Sequence, residues 1–421
     1  MTILAILWPR LARDGPEWQK VMYAFLCPMF YAWVAVTLRD VGVFLEYPAN
    51  TESCRVLPGS EQFWSSEDVA FWKDGLAIVT AGDLHHVFRD GIEAAAPGRL
   101  YAVDLGSAAP EAREVAVSGF PEGLRFQPHG IFVSKPRIYV TSHPGGSAGS
   151  RVEILEGVER GGALVGAKYV RSVVHPLLAF NGSPNDVVEG ASPDEIYVSR
   201  WLPDFAPIPE NGEDGELTRE EKVGSVAFFF ANLLKVPVTR VYRCVLGAGD
   251  AATCDPVGKR HAMANGMAIS EDRKTIYTAD PVAFSVTVYA RRADGSLRHA
   301  DTISLPHAPD NVQVLPGSDV LAIGTLPVLK ASIDAKKTRD FVAVPGTLLL
   351  AQPGKPPKND TLKRAYGVRS KGDPRWTFTD VAVTDGTQGV SQISAGTLYG
   401  TTALLGSPYA QGALLCDAAS F

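Results

Sequence analysis

Five oxygen-bearing side chains stand at matching places in this chain. They occur in Glu67-Asp68-Val69, Asn185-Asp186-Val187, Asn265-Gly266-Met267 and Asp310-Asn311-Val312, each followed by a stretch that alternates apolar and small residues. His129-Gly130-Ile131 repeats the pattern with an imidazole, and Gln388-Gly389-Val390 repeats it more weakly. Carboxylate, amide and carbonyl oxygens are the donors of hard cations, and calcium takes about 6–8 of them. Glu67, Asn185, Asn265, Asp310 and Asn311 offer two carboxylates and three amides. That set neutralises one calcium ion and leaves room for water or substrate. Asp68 and Asp186 point to the other side of an extended strand and suit a second, more buried ion shared between them. Taken singly, each Asn or Asp is readable as a turn former or strand-end cap. Recurrence at equivalent places is what points to metal.

His129 follows Phe126-Gln127-Pro128, and His143 ends a strand one hairpin later. If neighbouring strands bring the rings together, one can take a proton from water while the other orients it. Two structural histidines, one capping a channel, is the alternative. His85 and His86 are adjacent, so only one can point inward, and exposure at a rim is expected. His175, His261, His299 and His307 carry no comparable signal. There is no Gly-x-Ser-x-Gly elbow, His-Glu-x-x-His or paired Cys-x-x-Cys motif, which disfavours a serine hydrolase and zinc.

A polar residue opening an apolar, alternating run is how the innermost strand of a propeller blade begins. Six such openings imply an all-β, six-bladed propeller whose strand ends converge on one axis. Their spacing averages about 60 residues, longer than common propeller repeats, which leaves room for loops on the functional face. Phe71 to Val79 reads as two strands across a Lys73-Asp74-Gly75 turn, and Gly98 to Leu105 as the next strand. Arg137-Ile138-Tyr139-Val140-Thr141, Glu195-Ile196-Tyr197-Val198-Ser199 and Thr275-Ile276-Tyr277-Thr278-Ala279 read as second strands of successive blades. Forty Gly and 30 Pro agree with short strands and many turns. A net charge of −6 without a basic stripe argues against nucleic acid as a partner. Pro203 to Lys222 and Lys355 to Pro374 read as exposed loops. Between the first of these and the next strand, Val223 to Leu234 is apolar on nearly every side and too short to span a bilayer. A helix packed on the propeller is expected there, with a lid or a second membrane contact as alternatives.

The ends of the chain carry separate information. Residues 1–20 form a short, mixed segment with Arg10, Arg13 and Lys20, and 21–38 run without a charge. The length and aromatic content of this run favour a membrane anchor or uncleaved signal, N-in, with the rest of the chain lumenal or extracellular. A cleaved signal peptide on a secreted protein and a buried helix are the alternatives. Residues 39–53 read as a linker and 54–421 as the catalytic domain. Of five cysteines, Cys27 lies in the apolar run. Cys54 and Cys416 sit at the two ends of the globular part, where a ring must close, and a disulfide there would contribute up to roughly 5–6 kcal/mol by chain entropy. Cys244 and Cys254 flank a Gly247-Ala248-Gly249-Asp250 turn as a hairpin staple would. Both bridges require an oxidising compartment; four unrelated buried thiols is the alternative. Asn359-Asp360-Thr361 is a glycosylation sequence for a lumenal domain, and Asn181-Gly182-Ser183 a poorer one because Pro184 follows.

These motifs together resemble the serum paraoxonase/arylesterase family of calcium-dependent, six-bladed lactonases. The resemblance rests on Ser66-Glu67-Asp68, Phe126 to Ile131, His143-Pro144, Asn185-Asp186, Ala264-Asn265-Gly266, Asp310-Asn311 and Leu415-Cys416, and it covers residues 52–417. It implies two calcium ions. Glu67, Asn185, Asn265, Asp310 and Asn311 would hold the catalytic one; Asp68, Asp186 and the Ile131 carbonyl would hold the structural one. It also implies a His129–His143 dyad, the Cys54–Cys416 bridge and a retained hydrophobic N-terminus. The chain departs from the family at Arg200-Trp201, where an Asp-His pair is expected, and at Thr325-Leu326-Pro327, which lacks an expected Cys and His. The ligand set is kept while the pocket wall differs. The expectation is therefore a calcium-dependent hydrolase of small-molecule esters or lactones. The alternatives are non-hydrolytic ring closure or opening, since strictosidine-synthase-like propellers show the scaffold is not tied to hydrolysis, or a non-enzymatic anchored binding propeller.

Overall fold

The computed structural model describes residues 53–145, 148–179, 183–204, 219–329, 331–332, 342–354 and 375–418. The apolar run 21–38, expected to form an N-terminal helix, lies outside the described residues, as do Asn181 and Asn359. β1 (Cys54–Val56) is followed by a four-stranded sheet of β2 (Val69–Lys73), β3 (Leu76–Ala81), β4 (Arg99–Asp104) and β5 (Ala112–Glu114). Next come β6 (Val117–Ser118), β7 (Pro128–Ser134), β8 (Arg137–Ser142), β9 (Arg151–Arg160) and β10 (Ala163–Val173), in the sheet order β7-β8-β9-β10-β6. Three four-stranded sheets follow in plain chain order. The first is β11 (Pro184–Glu189), β12 (Glu195–Arg200), β13 (Thr239–Leu246) and β14 (Ala252–His261). The second is β15 (Met267–Ile269), β16 (Thr275–Asp280), β17 (Ser285–Arg291) and β18 (Leu297–Ser304). The third is β19 (Ala308–Val314), β20 (Leu321–Leu326), β21 (Gly346–Pro353) and β22 (Trp376–Thr384). The last sheet joins β23 (Ala395–Tyr399), β24 (Thr402–Gly406) and β25 (Leu414–Asp417) to β1.

These are the six blades of a propeller, numbered here from the sheet that begins with β2. The first strand of each packs against its neighbours around a common axis, and β23 meets β2 to close the circle. Five of the six expected openings stand at the start of the inner strand as read. The sixth does not: Gln388-Gly389-Val390 lies in the preceding loop, and β23 starts at Ala395. Ser394, not Gln388, stands at its mouth, because a small hydroxyl takes the place of the carboxylate, imidazole or amide that makes the other openings visible.

The apolar runs are explained by burial on both faces of every blade. Ile138 and Val140 of β8 pack toward blade 1 with Ile78 and Leu100, whereas Tyr139 packs toward blade 3 with Val187 and Ile196. Each of six core clusters lies between two consecutive blades in this way. A strand with no solvent face cannot alternate apolar and polar, so these strands read as β-branched and aromatic blocks. Each fully buried Ile, Leu or Val contributes about 1.5–3 kcal/mol.

Helices also stand in the connections among the described residues. α1 (Leu84–Asp90) follows β3, and α2 (Arg219–Leu233) precedes β13. α2 forms where the apolar run was read, but several of its described apolar side chains face solvent. Val226, Phe229, Phe230 and Leu234 are exposed, and Ala231 is buried. Among the described residues no helix is long and apolar enough to cross a membrane.

Both expected disulfides are present. Cys54 and Cys416 face each other across the β1–β25 pair and are bonded, and so are Cys244 and Cys254 across β13–β14. The first joins residues 362 apart and holds the closing blade; the second joins residues 10 apart. Loop-closure entropy assigns up to about 5–6 kcal/mol to the first and about 3 kcal/mol to the second. Replacing Cys54 and Cys416 together by Ser is therefore expected to lower unfolding free energy more than replacing Cys244 and Cys254. Denaturant melts measure both, and equal losses would show that ring closure has no special weight.

One carboxylate intrudes into the core. Glu153 on β9 is fully buried; its Oε2 accepts from Ser172 Oγ at 2.7 Å and its Oε1 has no hydrogen-bond partner. Burial pushes its pKa up to about 7, against smaller lowering by Ser172 and Arg151. The folded chain therefore keeps a proton that the unfolded chain has released, and this group costs stability as pH rises through about 7. Glu153→Gln is expected to be more stable than the parent by about 1–3 kcal/mol at alkaline pH, with the gap closing below about pH 5. Thermal melts across pH test this, and a gap independent of pH would refute it.

Candidate active site

The inner strands do not begin as regular ladders. In blade 2, Pro128 pairs with Ser142 and the next pair is Ile131 with Val140. Blade 3 repeats this with Pro184–Arg200 and Val187–Val198, and blade 5 with Pro309–Thr325 and Val312–Ile323. Each time two residues of the inner strand bulge out of register: His129-Gly130, Asn185-Asp186 and Asp310-Asn311. Blade 1 matches them. The Asp68 N–H donates to Thr80 Oγ1 at 3.0 Å, as Gly130 N–H donates to Thr141 Oγ1 at 2.8 Å and Asp186 N–H to Ser199 Oγ at 3.1 Å. Glu67, His129, Asn185 and Asp310 therefore share one station, and Asp68, Gly130, Asp186 and Asn311 the next. The five expected ligands are not all at one station: Asn311 stands one residue later, where its amide reaches Glu67.

Glycine at the second station lets the inner strands close up. A Cβ on Gly130 would lie 2.4 Å from the Asn185 carbonyl oxygen, and one on Gly266 would lie 2.4 Å from the Asn311 Cα. No side chain fits either place. The carboxylates of the second station use this proximity to stitch blades together. Asp68 accepts Val69 N–H and, across the blade gap, Ile131 N–H, both at 2.8 Å. Asp186 accepts Val187 N–H at 2.7 Å and, across the next gap, Met267 N–H at 2.6 Å. Ile131, expected through its carbonyl, shows its N–H in this network. Burial, followed by repulsion from Asp186 and Glu67, holds the Asp68 carboxyl well above the carboxylate range. Burial does the same to Asp186, against the two amides that it accepts.

The first station is poor in hydrogen donors. Asn311 Nδ2 donates to Glu67 Oε1 at 2.7 Å and to the Glu67 carbonyl at 2.9 Å. Ser394 Oγ donates to that same carbonyl at 2.8 Å. Glu67 Oε2, Asn185 Oδ1, Asn265 Oδ1 and Asn311 Oδ1 are buried without any hydrogen-bond partner. These residues are at most 6% exposed. Asp310 is half-buried, and its charge, after burial itself, raises the Glu67 pKa well above the usual value. Burying one such acceptor without a partner costs about 1–3 kcal/mol on protein scales. Four of them near two carboxylates fit a hard divalent cation, which needs oxygens and brings compensating charge. Among the described residues no three His, Cys, Asp or Glu side chains gather as a metal site; the partnerless atoms are amide and carboxylate oxygens.

The histidines come together as expected. His129 Nδ1 lies 2.8 Å from His143 Nε2, and His143 Nδ1 lies 2.9 Å from Ser150 Oγ. Burial, then the neighbouring His129, holds His143 well below its ordinary pKa, so it is the neutral ring of the pair. The outer nitrogen of the dyad, His129 Nε2, faces Glu67 Oε1 at 3.4 Å and Asn185 Nδ2 at 3.5 Å. An amide N–H aimed at this nitrogen suits an acceptor lone pair there. His85 and His86 sit on α1, half-buried beside Trp64, and His86 Nδ1 bonds Asp83 Oδ1 at 2.6 Å, in keeping with a rim position. Ser150, Thr80, Thr141, Ser199 and Ser394 were missed. Thr141 and Ser199 were visible only as small residues at second-strand ends, and Ser150 carried no signal.

A family model described as Arylesterase matches residues 47–200 and 251–417. Human serum paraoxonase/lactonase 3 is 28% identical over 281 residues, 65% of this chain and 70% of that protein. Serum paraoxonase/arylesterase 2 of Gallus gallus is 29% identical over 288 residues, 66% of this chain and 71% of that protein. Its counterpart from Rattus norvegicus is 25% identical over 374 residues, 87% of this chain and 88% of that protein. With a match that spans most of the propeller, the chain belongs to the arylesterase family of ester-hydrolysing enzymes.

Proposed function

We propose that this protein is a calcium-dependent hydrolase of small-molecule esters or lactones. The observation that carries the reading is the set of four buried, donorless oxygens on Glu67, Asn185, Asn265 and Asn311 beside the His129–His143 pair. Glu67, Asn185, Asn265, Asp310 and Asn311 would hold the catalytic calcium. Asp68, Asp186 and the Ile131 carbonyl would hold a structural one. When bound, the catalytic ion supplies a Lewis acid that polarises the substrate carbonyl.

The side chains do the proton work. His129 Nε2 accepts a proton from water as the water oxygen bonds to the carbonyl carbon. His143, neutral and tied to Ser150 Oγ, fixes the His129 ring through Nδ1. The C–O bond to the leaving alkoxide then breaks, and the proton held at His129 passes to that oxygen. In a lactone the leaving oxygen remains tethered to the acid. The two disulfides support an oxidising, lumenal or extracellular location, and residues 21–38 are the proposed membrane attachment.

Chelation of calcium is expected to abolish turnover of phenyl acetate and γ-butyrolactone by the disulfide-closed protein, and calcium to restore it. Full activity of a folded, metal-free protein would sink the reading. Asn265→Ala should weaken calcium binding by at least about tenfold, as loss of metal-site partners commonly does. His129→Gln should lower kcat by about 10²–10⁴-fold with calcium affinity unchanged. Glu67→Gln should instead lose calcium affinity first. If His129→Gln keeps its kcat while Glu67→Gln loses it at full calcium occupancy, a carboxylate is the base.

A further inference from the structure

We propose that Trp201 is a specificity-determining residue that holds a bulky apolar or aryl group of the substrate; this rests on the hydrolase reading. Three blades present one residue at the same place at the end of the second strand. His143 follows Ser142, Trp201 follows Arg200 and Leu326 follows Thr325, and those three partners pair with Pro128, Pro184 and Pro309 in one register. Backbone bonding agrees: His143 N–H donates to the Gln127 carbonyl at 3.0 Å, and Trp201 N–H donates to the Ser183 carbonyl at 3.0 Å. In blade 2 a side chain leaving from this place meets the first station, where His143 touches His129. The same geometry directs Trp201 toward Asn185, one blade along.

The environments of the three differ. His143 and Leu326 are buried, whereas Trp201 is only half-buried and so reachable from solvent. An indole has no acid–base role near neutral pH; it offers a broad apolar face. The adjacent cation does not redirect the pocket toward anions. Arg200 is 2% exposed, donates from Nε to Ser183 Oγ at 3.0 Å and from Nη2 to Asp204 Oδ1 at 2.6 Å. Its guanidinium also lies 5.6 Å from the Tyr242 ring centroid. The fork is thus committed to its own neighbours and braces the strand end that carries Trp201. With Leu326 at the equivalent place in blade 5, the wall favours neutral substrates with an apolar substituent.

The test compares two lactones with one ring, γ-butyrolactone and γ-phenyl-γ-butyrolactone. Trp201→Ala is expected to raise KM for the phenyl lactone about tenfold, in the range of hydrophobic pocket contacts, with kcat nearly unchanged. γ-Butyrolactone should lose several-fold less than the phenyl lactone, and Trp201→Phe should restore most of the loss. Equal losses on both lactones, or none on either, overturn the proposal. Equilibrium binding of the phenyl lactone to the parent and Trp201→Ala is measured alongside. If neither lactone is turned over, the hydrolase reading fails, while a tenfold binding difference still supports Trp201 and equal binding refutes it.

Discussion

Oxygens that accept hydrogen bonds but meet no donor are the constraint from which the rest of this structure follows. Glu67, Asn185, Asn265 and Asn311 each bury one such atom where the blades meet. Buried polar groups are almost always paired, and a cluster of exceptions in one place calls for a common partner. Protonation relieves a carboxylate but does nothing for the three amide oxygens. A divalent cation would serve all four and would offset the burial and mutual repulsion that raise Glu67, Asp68 and Asp186. The amide content matters: an all-carboxylate ring would over-neutralise the ion and blunt its pull on a carbonyl.

The propeller supplies that cluster through two devices. A bulge at the start of the inner strand takes two consecutive residues out of the ladder in blades 2, 3 and 5. Glycine at the second station of blades 2 and 4 removes the Cβ that would hold the neighbouring strand away. Asp68 and Asp186 then span the gaps to Ile131 and Met267. The same carboxylates that suit a buried ion also hold consecutive blades in register. The Cys54–Cys416 bond closes the circle from the outside while these bonds hold it from within.

Much of this was legible in the sequence because the signal repeats. Blade number, second strands, both disulfides and the polar openings all recur in a way that one blade could not have revealed. What failed was information carried by a single residue. Ser394 opens the sixth inner strand as a hydroxyl and was passed over for Gln388. Asn311 was grouped with Asn185, although the register puts it beside Asp68 and Asp186 in kind. Ser150 holds His143 from a loop whose composition gives no hint of it. The apolar run in α2 looked like core, yet Phe229 and Phe230 stand exposed; an apolar sequence states the cost of exposure, not which surface meets it.

The two stations and the place at the end of the second strand divide the labour of the site. The groups proposed to hold calcium and to accept a proton lie on inner strands, clamped on both sides by neighbouring blades. Trp201 follows β12 and Leu326 ends β20, each attached through one strand end. A change there alters the wall without moving Glu67 or Asn185, whose positions depend on bulges and blade contacts. This explains how Arg200-Trp201 and Leu326 can differ from family expectation while the oxygens beneath still converge. Chemistry and selectivity are therefore mechanically separate here, and selectivity sits on the part of each blade with the greater freedom to vary.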